Sequence, residues 1–483
     1  MIITKKLCIT LAAAVCIIQA GRAQTRVATG VQQFGSYTPT SFETIDNATL
    51  NAHFEVPIVA KAGRGMPFTF TLAYDSSIWT PTSSSGTSSW TPSATWGWSA
   101  INPATAAAAT VGFLTYDWTF QPTISCGPPP GQSNSWAIAS NFVYRDWLGT
   151  SHSFPGAIAY QTNPSNLYCH PGSLTSSETV TTTDGSGYVL AASIANVTQA
   201  SISASLKSAS GSNIVAPLTA GSSNGTLTDS NGNQISASGG TFTDTLGTTA
   251  VTVTGAGSQA SPLVFTYNNP QASTSTYTVN FKTKTIQTNF GCSGVTEYSG
   301  SVDLVDNIAL PDGTKYQFTY EATSGVSGAI TGRLASVTLP AGGVITWLYY
   351  PSGGSGNKVS CADGSGLDLQ RQSPDGTMQF TRSGSPLLTT TALDAAANQT
   401  VLNFQQVTSG DVIYSYETER QTYALTSTLL QTVNRGYNGS QAASPCTAGT
   451  LSLPISQVLV NTVWPNNLTS QVCSTTTRRM QGG

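Results

Sequence analysis

Three sets of residues in this chain could carry chemistry. The first is the serine of "GSSNG" (221–225), which fits the G-x-S-x-G pattern of a nucleophile elbow. Such an elbow needs a strand before the serine and a helix after it. Here the pattern sits in Ser- and Gly-rich sequence, and the chain has three histidines, His53, His152 and His170. A loop is expected at 221–225, and His152, which follows a turn, reads as a surface histidine on a strand. The second set is the carboxylates Glu43, Glu55, Asp75, Asp117 and Asp146. Two of them at the right separation would make a glycosidase. With 22 acids in the chain, pairs arise by chance, and no spacing singles out two.

The third set is aromatic. Seven of the nine tryptophans fall between 79 and 147: Trp79, Trp90, Trp96, Trp98, Trp118, Trp136 and Trp147. Flat ring faces suit pyranose rings, so exposed members would form a sugar-stacking platform. Trp118 and Trp136 lie in strand-like pattern and read as core. Trp90, Trp96 and Trp98, within "SSWTPSATWGWSA", lie in a Ser/Thr/Pro/Ala-rich stretch (80–108) that reads as a surface excursion. These three are the candidates for carbohydrate contact.

No metal site or cofactor is expected. In "DSNGN" (229–233) Gly232 comes too early for the ligand order of an EF-hand. The chain has no C-x-x-C pair, and "YCH" (168–170) sets Cys and His side by side rather than at ligand spacing. Six N-x-S/T sequons, at Asn47, Asn196, Asn224, Asn398, Asn438 and Asn467, are expected by chance in so Asn-, Ser- and Thr-rich a chain.

The leader and the cysteines indicate a compartment. Lys5 and Lys6 precede the apolar run Leu7 to Ala20, and Gly21 and Ala23 are small residues before a cut at Gln24. That is the pattern of a secretory signal peptide, 1–23, too short in its apolar part to span a bilayer comfortably. Later stretches hold no run apolar enough to cross a membrane. The expected location is secreted or at the cell surface. Beyond the leader lie Cys126, Cys169, Cys292, Cys361, Cys446 and Cys473. An even count in an exported chain suggests disulfides, here with 15 connectivities open. Nearest-neighbour pairing, 126–169, 292–361 and 446–473, is the expectation. Charged residues make up 8% of the chain and the formal net charge is −3. That is about a third of the usual share of charge. Without a basic patch, the chain has no nucleic-acid footprint.

The elements that would hold these residues are strands. Alternation runs throughout: "MPFTFTLAY" (66–74), "DVIYSYETERQTYAL" (411–425) and "SLPISQVLVNTVW" (452–464) each put apolar residues on one face. Helical periodicity is nearly absent. The fold class is all-β, built of tandem antiparallel hairpins in sandwich-like sheets. Asp/Gly turns separate the strands: "RDWLGTSHSF" (145–154), "TDSNGNQIS" (228–236), "TDTLGTTAVTV" (243–253), "LPDGTKYQFTY" (310–320) and "SPDGTMQF" (373–380). In "LPDGT", Pro311 presets the first corner, Asp312 the second, and Gly313 takes the left-handed position. Composition divides the chain into an N-terminal all-β domain (24–175), a hairpin region (176–300), a clearer repeat-like region (301–435) and a C-terminal strand with a flexible tail (436–483).

From Val302 to Tyr350 the chain reads "VDLVDNIALPDGTKYQFTYEATSGVSGAITGRLASVTLPAGGVITWLYY". This stretch resembles the YD-repeat unit of the RHS/YD-repeat family, in its "PDGT" turn, "YQFTY", "GRLASVTLP", the "GG" turn and the closing Tyr349–Tyr350. The blocks 54–79 and 287–298 look like leader regions of large exported bacterial members. The resemblance implies hairpins wound into a hollow β-shell. It also implies an exported, non-enzymatic structural or interaction protein, the N-terminal part of an RHS-type surface protein, meeting cell-surface polymers or glycans. A carbohydrate-binding module using Trp90, Trp96 and Trp98 is the alternative, and a glycoside hydrolase the third reading. The chain departs from the family plan in holding one good repeat and no recognisable self-cleavage motif or effector region. The tail "STTTRRMQGG" breaks the alternating pattern, so either a short stand-alone relative or an interrupted gene is expected.

Overall fold

The structure, a computed structural model, describes residues 26–475 apart from 85, 126–132, 164–173, 219–223, 351–356, 385–387 and 441–446. The chain is all-β. Among the described residues, helix is confined to two single turns, Pro103–Ala106 and Ala108–Val111, and a 3-10 turn at Gln199–Ser201. No helix there is long and apolar enough to cross a membrane.

The turn chemistry builds most of the molecule. In the Asp229 and Asp244 loops the aspartate Oδ1 accepts the backbone N–H groups two and four residues on, at 2.8–3.0 Å. The fourth residue of each loop must turn left-handed, and glycine supplies this at Gly232 (φ 82°) and Gly247 (φ 76°). Asp146, Asn269 and Asp394 make the same pair of bonds. The "LPDGT" turn closes as its residues predict. Gly313 N donates to Leu310 O at 3.0 Å, and Leu310 N donates to Thr314 O at 2.9 Å.

Each such turn sends the chain back beside itself, and the products fuse into one sheet of 24 strands. From Ser177–Thr181 to Thr428–Ser440 each strand of this sheet pairs antiparallel with the next one in it. The short strand Val295–Thr296 leaves this order to pair with Thr87–Pro92. The sheet runs through positions 300 and 435, where composition had suggested borders: Thr274–Gln287 pairs with Ser299–Ala309, and Thr428–Ser440 spans the second point. Strand edges need partners, and the neighbouring hairpin provides them on both sides of each position.

This hairpin ribbon comes back to its own beginning. Thr183 Oγ1, just past the strand Ser177–Thr181, donates to Ser409 Oγ at 2.7 Å across 226 residues. The strand Arg26–Val27 lies at the same seam, parallel to Val412–Ala424. A three-stranded sheet, Phe113–Ser125, Ser133–Arg145 and Ser151–Gln161, packs beside it, with Ser153 Oγ donating to Ser409 O at 2.8 Å.

The ribbon winds around a four-stranded antiparallel sheet, Tyr37–Pro39, Glu43–Asp46, Ala52–Lys61 and Phe68–Asp75. Its side chains reach the ribbon at well-separated points. Lys61 Nζ meets Asp244 at 2.8 Å, Tyr74 Oη accepts from Leu334 N at 3.0 Å, and Thr390 Oγ1 donates to Asn47 O at 2.6 Å. Phe54 is the aromatic hub. Its ring lies parallel to Trp347 at 6.0 Å and touches Phe42, Tyr74, Trp98 and Phe318. The alternating apolar residues of the ribbon, Ile308, Phe318 and Val337 among them, join the same core.

Cys292 and Cys361 form the expected disulfide, closing 69 residues. Cys473 is also disulfide-bonded. Cys126, Cys169 and Cys446 lie outside the described residues, and with them the pairings 126–169 and 446–473.

Phe54→Ala is expected to destabilise the protein by about 3–5 kcal/mol, with Phe54→Leu milder. Replacing Cys292 and Cys361 together by serine should remove about 4 kcal/mol, the closure entropy of so long a loop. Urea midpoints at constant m-value read both.

Candidate functional site

The tryptophan hairpin is built to face inward. Strands Trp79–Ser84 and Thr87–Pro92 pair so that Pro81 lies opposite Trp90, and Thr87–Pro92 carries Val295–Thr296 on its other edge. Trp90, Trp96 and Trp98 are 2%, 8% and 3% exposed. Trp90 stands edge-on to Phe290 at 5.0 Å, and Trp96 edge-on to Trp79 at 5.7 Å. Trp98 touches Tyr74, Phe54 and Phe318. The expectation that these three stand free for sugar stacking is therefore corrected. A Ser/Thr/Pro-rich stretch read as a surface excursion is a packed wedge, because its rings carry more apolar area than its polar residues can keep in water. Gly332 marks how close the contact is, since a Cβ there would meet the Trp96 ring at 2.7 Å. Trp118, Trp136 and Trp147 are half-buried.

The ionisable residues are mostly enclosed and paired. Glu43 accepts from Arg371 Nε at 2.5 Å and from Trp347 Nε1 at 3.1 Å. Arg333 grips Glu321 with Nε and Nη2 at 2.8 and 2.9 Å, and its guanidinium lies 4.0 Å over Tyr349. Glu417 takes Arg420, Arg435 and Ser36. Burial pushes the Glu417 carboxyl up, but these partners hold it below its ordinary value.

Both described histidines are buried between acids. His53 Nδ1 lies 3.1 Å from Asp75 and Nε2 3.7 Å from Glu55. His152 Nδ1 lies 2.6 Å from Asp184 and Nε2 3.5 Å from Asp146. His152 is 5% exposed, which corrects the reading of a surface histidine. The strand Ser151–Gln161 is covered on this face by Tyr144 and Tyr188, whose rings lie 5.9 and 4.7 Å from the imidazole. Burial pulls both imidazoles down, yet the carboxylates outweigh it and raise His53 to about 10 and His152 to about 9. The protonated imidazole is therefore the favoured form of each at neutral pH.

Of the sequence-derived carboxylates, Asp75 and Glu55 meet across the His53 ring. Glu43, Asp75 and Asp146 are engaged in the pairs just described, and exposed Asp117 accepts from Asn141 Nδ2 at 2.7 Å. Asp229 spends both oxygens on its own turn, with Asn233 Nδ2 at 2.8 Å from Oδ2. Residues 221–223 of "GSSNG", and His170, lie outside the described residues. Among the described residues no three His, Cys, Asp or Glu side chains are grouped to hold a metal ion.

Among the open clefts of the described residues is one that the sequence did not single out. It measures about 440 Å³ and lies between the strand Arg26–Val27, the tryptophan hairpin with its 93–99 turn, and residues Phe113, Thr115 and Arg145. Arg145 sits with its guanidinium 5.6 Å over the Phe113 ring and has one long contact, Nη1 to Thr115 Oγ1 at 3.5 Å. Burial draws Arg145 down to about 10 and the like charge of Arg26 acts in the same direction, while the Asp411 and Asp75 carboxylates act against them. The wall residue Asp75 is already answered. Its Oδ1 accepts from Gly30 N at 3.1 Å and Asn51 Nδ2 at 2.5 Å, and sits against the His53 imidazolium. The only sequence signal was an arginine at the end of an otherwise apolar strand, "NFVYR" (141–145).

Compared with known proteins, the chain matches no family model and no curated sequence.

The raised histidines set an alkaline limit. Stability from a group whose pKa rises on folding is complete below its unfolded value, near 6.5, and is lost as pH rises through the folded value. Thermal midpoints are therefore expected to fall between pH 7 and 10. The slope should shrink in His152→Gln, which should also melt lower at pH 6.

Proposed function

We propose that this chain is an exported, non-enzymatic structural or interaction protein, of the kind found in the N-terminal part of RHS/YD-repeat surface proteins. The observation that carries the reading is the ribbon of consecutive antiparallel hairpins, from Ser177 to Ser440, returning on itself around an N-terminal sheet. The stretch 302–350 that resembles a YD repeat supplies strands in the middle of that ribbon, with Ile308 opposite Tyr316 and Val337 opposite Ile345. A wound hairpin ribbon is a way to build surface and enclosed volume from a short local rule.

Three further features support the reading. The Cys292–Cys361 disulfide suits an oxidising compartment outside the cytosol. The leader-like residues 1–23 agree with export. The buried carboxylates and imidazoles are held in closed pairs, which suits positioning of strands better than proton transfer. Outer faces of the ribbon would meet cell-surface polymers.

Fractionation of native cells tests this. An antibody raised against residues 26–300 should detect the protein outside the inner membrane, firmly associated with the surface. A soluble cytoplasmic product would overturn the proposal, as would turnover of a polysaccharide by the purified protein.

A further inference from the structure

We infer that the cleft between Arg26 and Arg145 is a binding site for an acidic saccharide unit, whose anionic group lies against the two guanidiniums. This goes beyond the proposed role and stands on the cleft alone, which Trp98, one of the tryptophans first considered for sugar contact, also lines.

Buried arginines elsewhere in this protein are met by partners. Arg333 and Arg371 each hold a glutamate, and Arg382 donates to Ser365 Oγ at 2.7 Å and to the Gly366 carbonyl. A guanidinium has five N–H donors and no acceptor. Arg145 leaves nearly all of these unused, and among the described residues no carboxylate lies within ion-pair distance of it or of Arg26. The Asp411 carboxylate acts on both guanidiniums from beyond ion-pair distance and offsets them in part, but it makes no hydrogen bond to either, so their N–H donors are left for a ligand. A single guanidinium fork such as that of Arg145 can take a carboxylate or sulfate bidentately.

The rest of the lining points to a polyol. Ser77, Thr80 and Thr95 contribute hydroxyls that make no hydrogen bond inside the protein among the described residues, and Thr82 and Thr91 lie beside them. Hydroxyls both donate and accept, as sugar hydroxyls require of their partners. Phe113 offers apolar surface at the rim. A volume of about 440 Å³ falls within the range of small-molecule sites, about 300–1,000 Å³. Asp75 does not repel the ligand's charge, because His53 and Asn51 already compensate it.

The test is calorimetric titration of the full-length protein with digalacturonate, its neutral counterpart galactobiose, sodium sulfate and a hexaglutamate peptide. Digalacturonate should bind, and more weakly as salt rises, while galactobiose binds at least ten-fold less well. Arg145→Gln should lose at least ten-fold in affinity and Arg145→Lys less. Arg26→Gln, at an exposed side chain, should also weaken binding several-fold, so the inference stays falsifiable should Arg145→Gln fail to fold. Three results would overturn it: no uronate binding at millimolar concentration, affinity unchanged in Arg26→Gln, or sulfate and hexaglutamate binding as tightly as digalacturonate.

Discussion

Everything in this fold depends on giving the hairpin ribbon a second layer. A hairpin in isolation is marginal in water, and adding strands at its edges lengthens the sheet without covering its apolar face. Ile308, Phe318, Val337 and Trp347 all lie on that face and all are buried. What buries them is the N-terminal four-stranded sheet, with Phe54 in parallel contact with Trp347 and edge contact with Trp98. The first strands of the chain are thus the mould around which later strands wind. The two-residue strand Arg26–Val27 then fills the seam where the winding returns.

Apolar contact alone would let such a ribbon slide over its mould, because a strand shifted by two residues presents the same face. Point contacts remove that freedom. Lys61–Asp244, Glu43–Arg371 and Ser36–Glu417 tie the inner sheet to the ribbon at three places far apart in sequence. Buried ion pairs contribute little net stability, since desolvation offsets their attraction, but a shifted register would leave each charge buried and alone. A chain with 8% charged residues has few charges to spend, and the buried Glu43, Arg371, Asp244 and Glu417 serve this purpose.

Local chemistry was legible in the sequence and long-range chemistry was not. The Asp229, Asp244 and Leu310 turns, the alternation of Phe68, Phe70 and Leu72, and the Cys292–Cys361 bond follow from spacing of a few residues or from counting cysteines. The tryptophan wedge misled because Ser, Thr and Pro around Trp90 and Trp96 read as loop, while the pairing that buries them comes from Val295–Thr296, some two hundred residues on. His152 misled for the same reason. Its partner Asp184 is separated from it by 32 residues, and its cover, Tyr188, stands on the next hairpin. Arg145 gave almost no signal, since what marks it is a missing partner, and absence of a contact is a property of the folded state only.

The location of the cleft follows from the same winding. Arg26 is held by its backbone N–H on Asp411 O at 2.6 Å, where Ala28 N also reaches Ile413 O at 3.1 Å. Arg145 ends a strand of the three-stranded sheet that packs on the seam from the other side. The two guanidiniums therefore face one cleft only because the ribbon has come full circle and the first strand has entered the gap. The two cations are offset in part by the Asp411 carboxylate, which acts on both, and Ala28, Val412 and Tyr414 pack in one apolar cluster at the same seam. The site is assembled by contacts between distant parts of the chain. Its geometry reports on whether the whole ribbon has wound correctly, which couples ligand binding to completion of the fold.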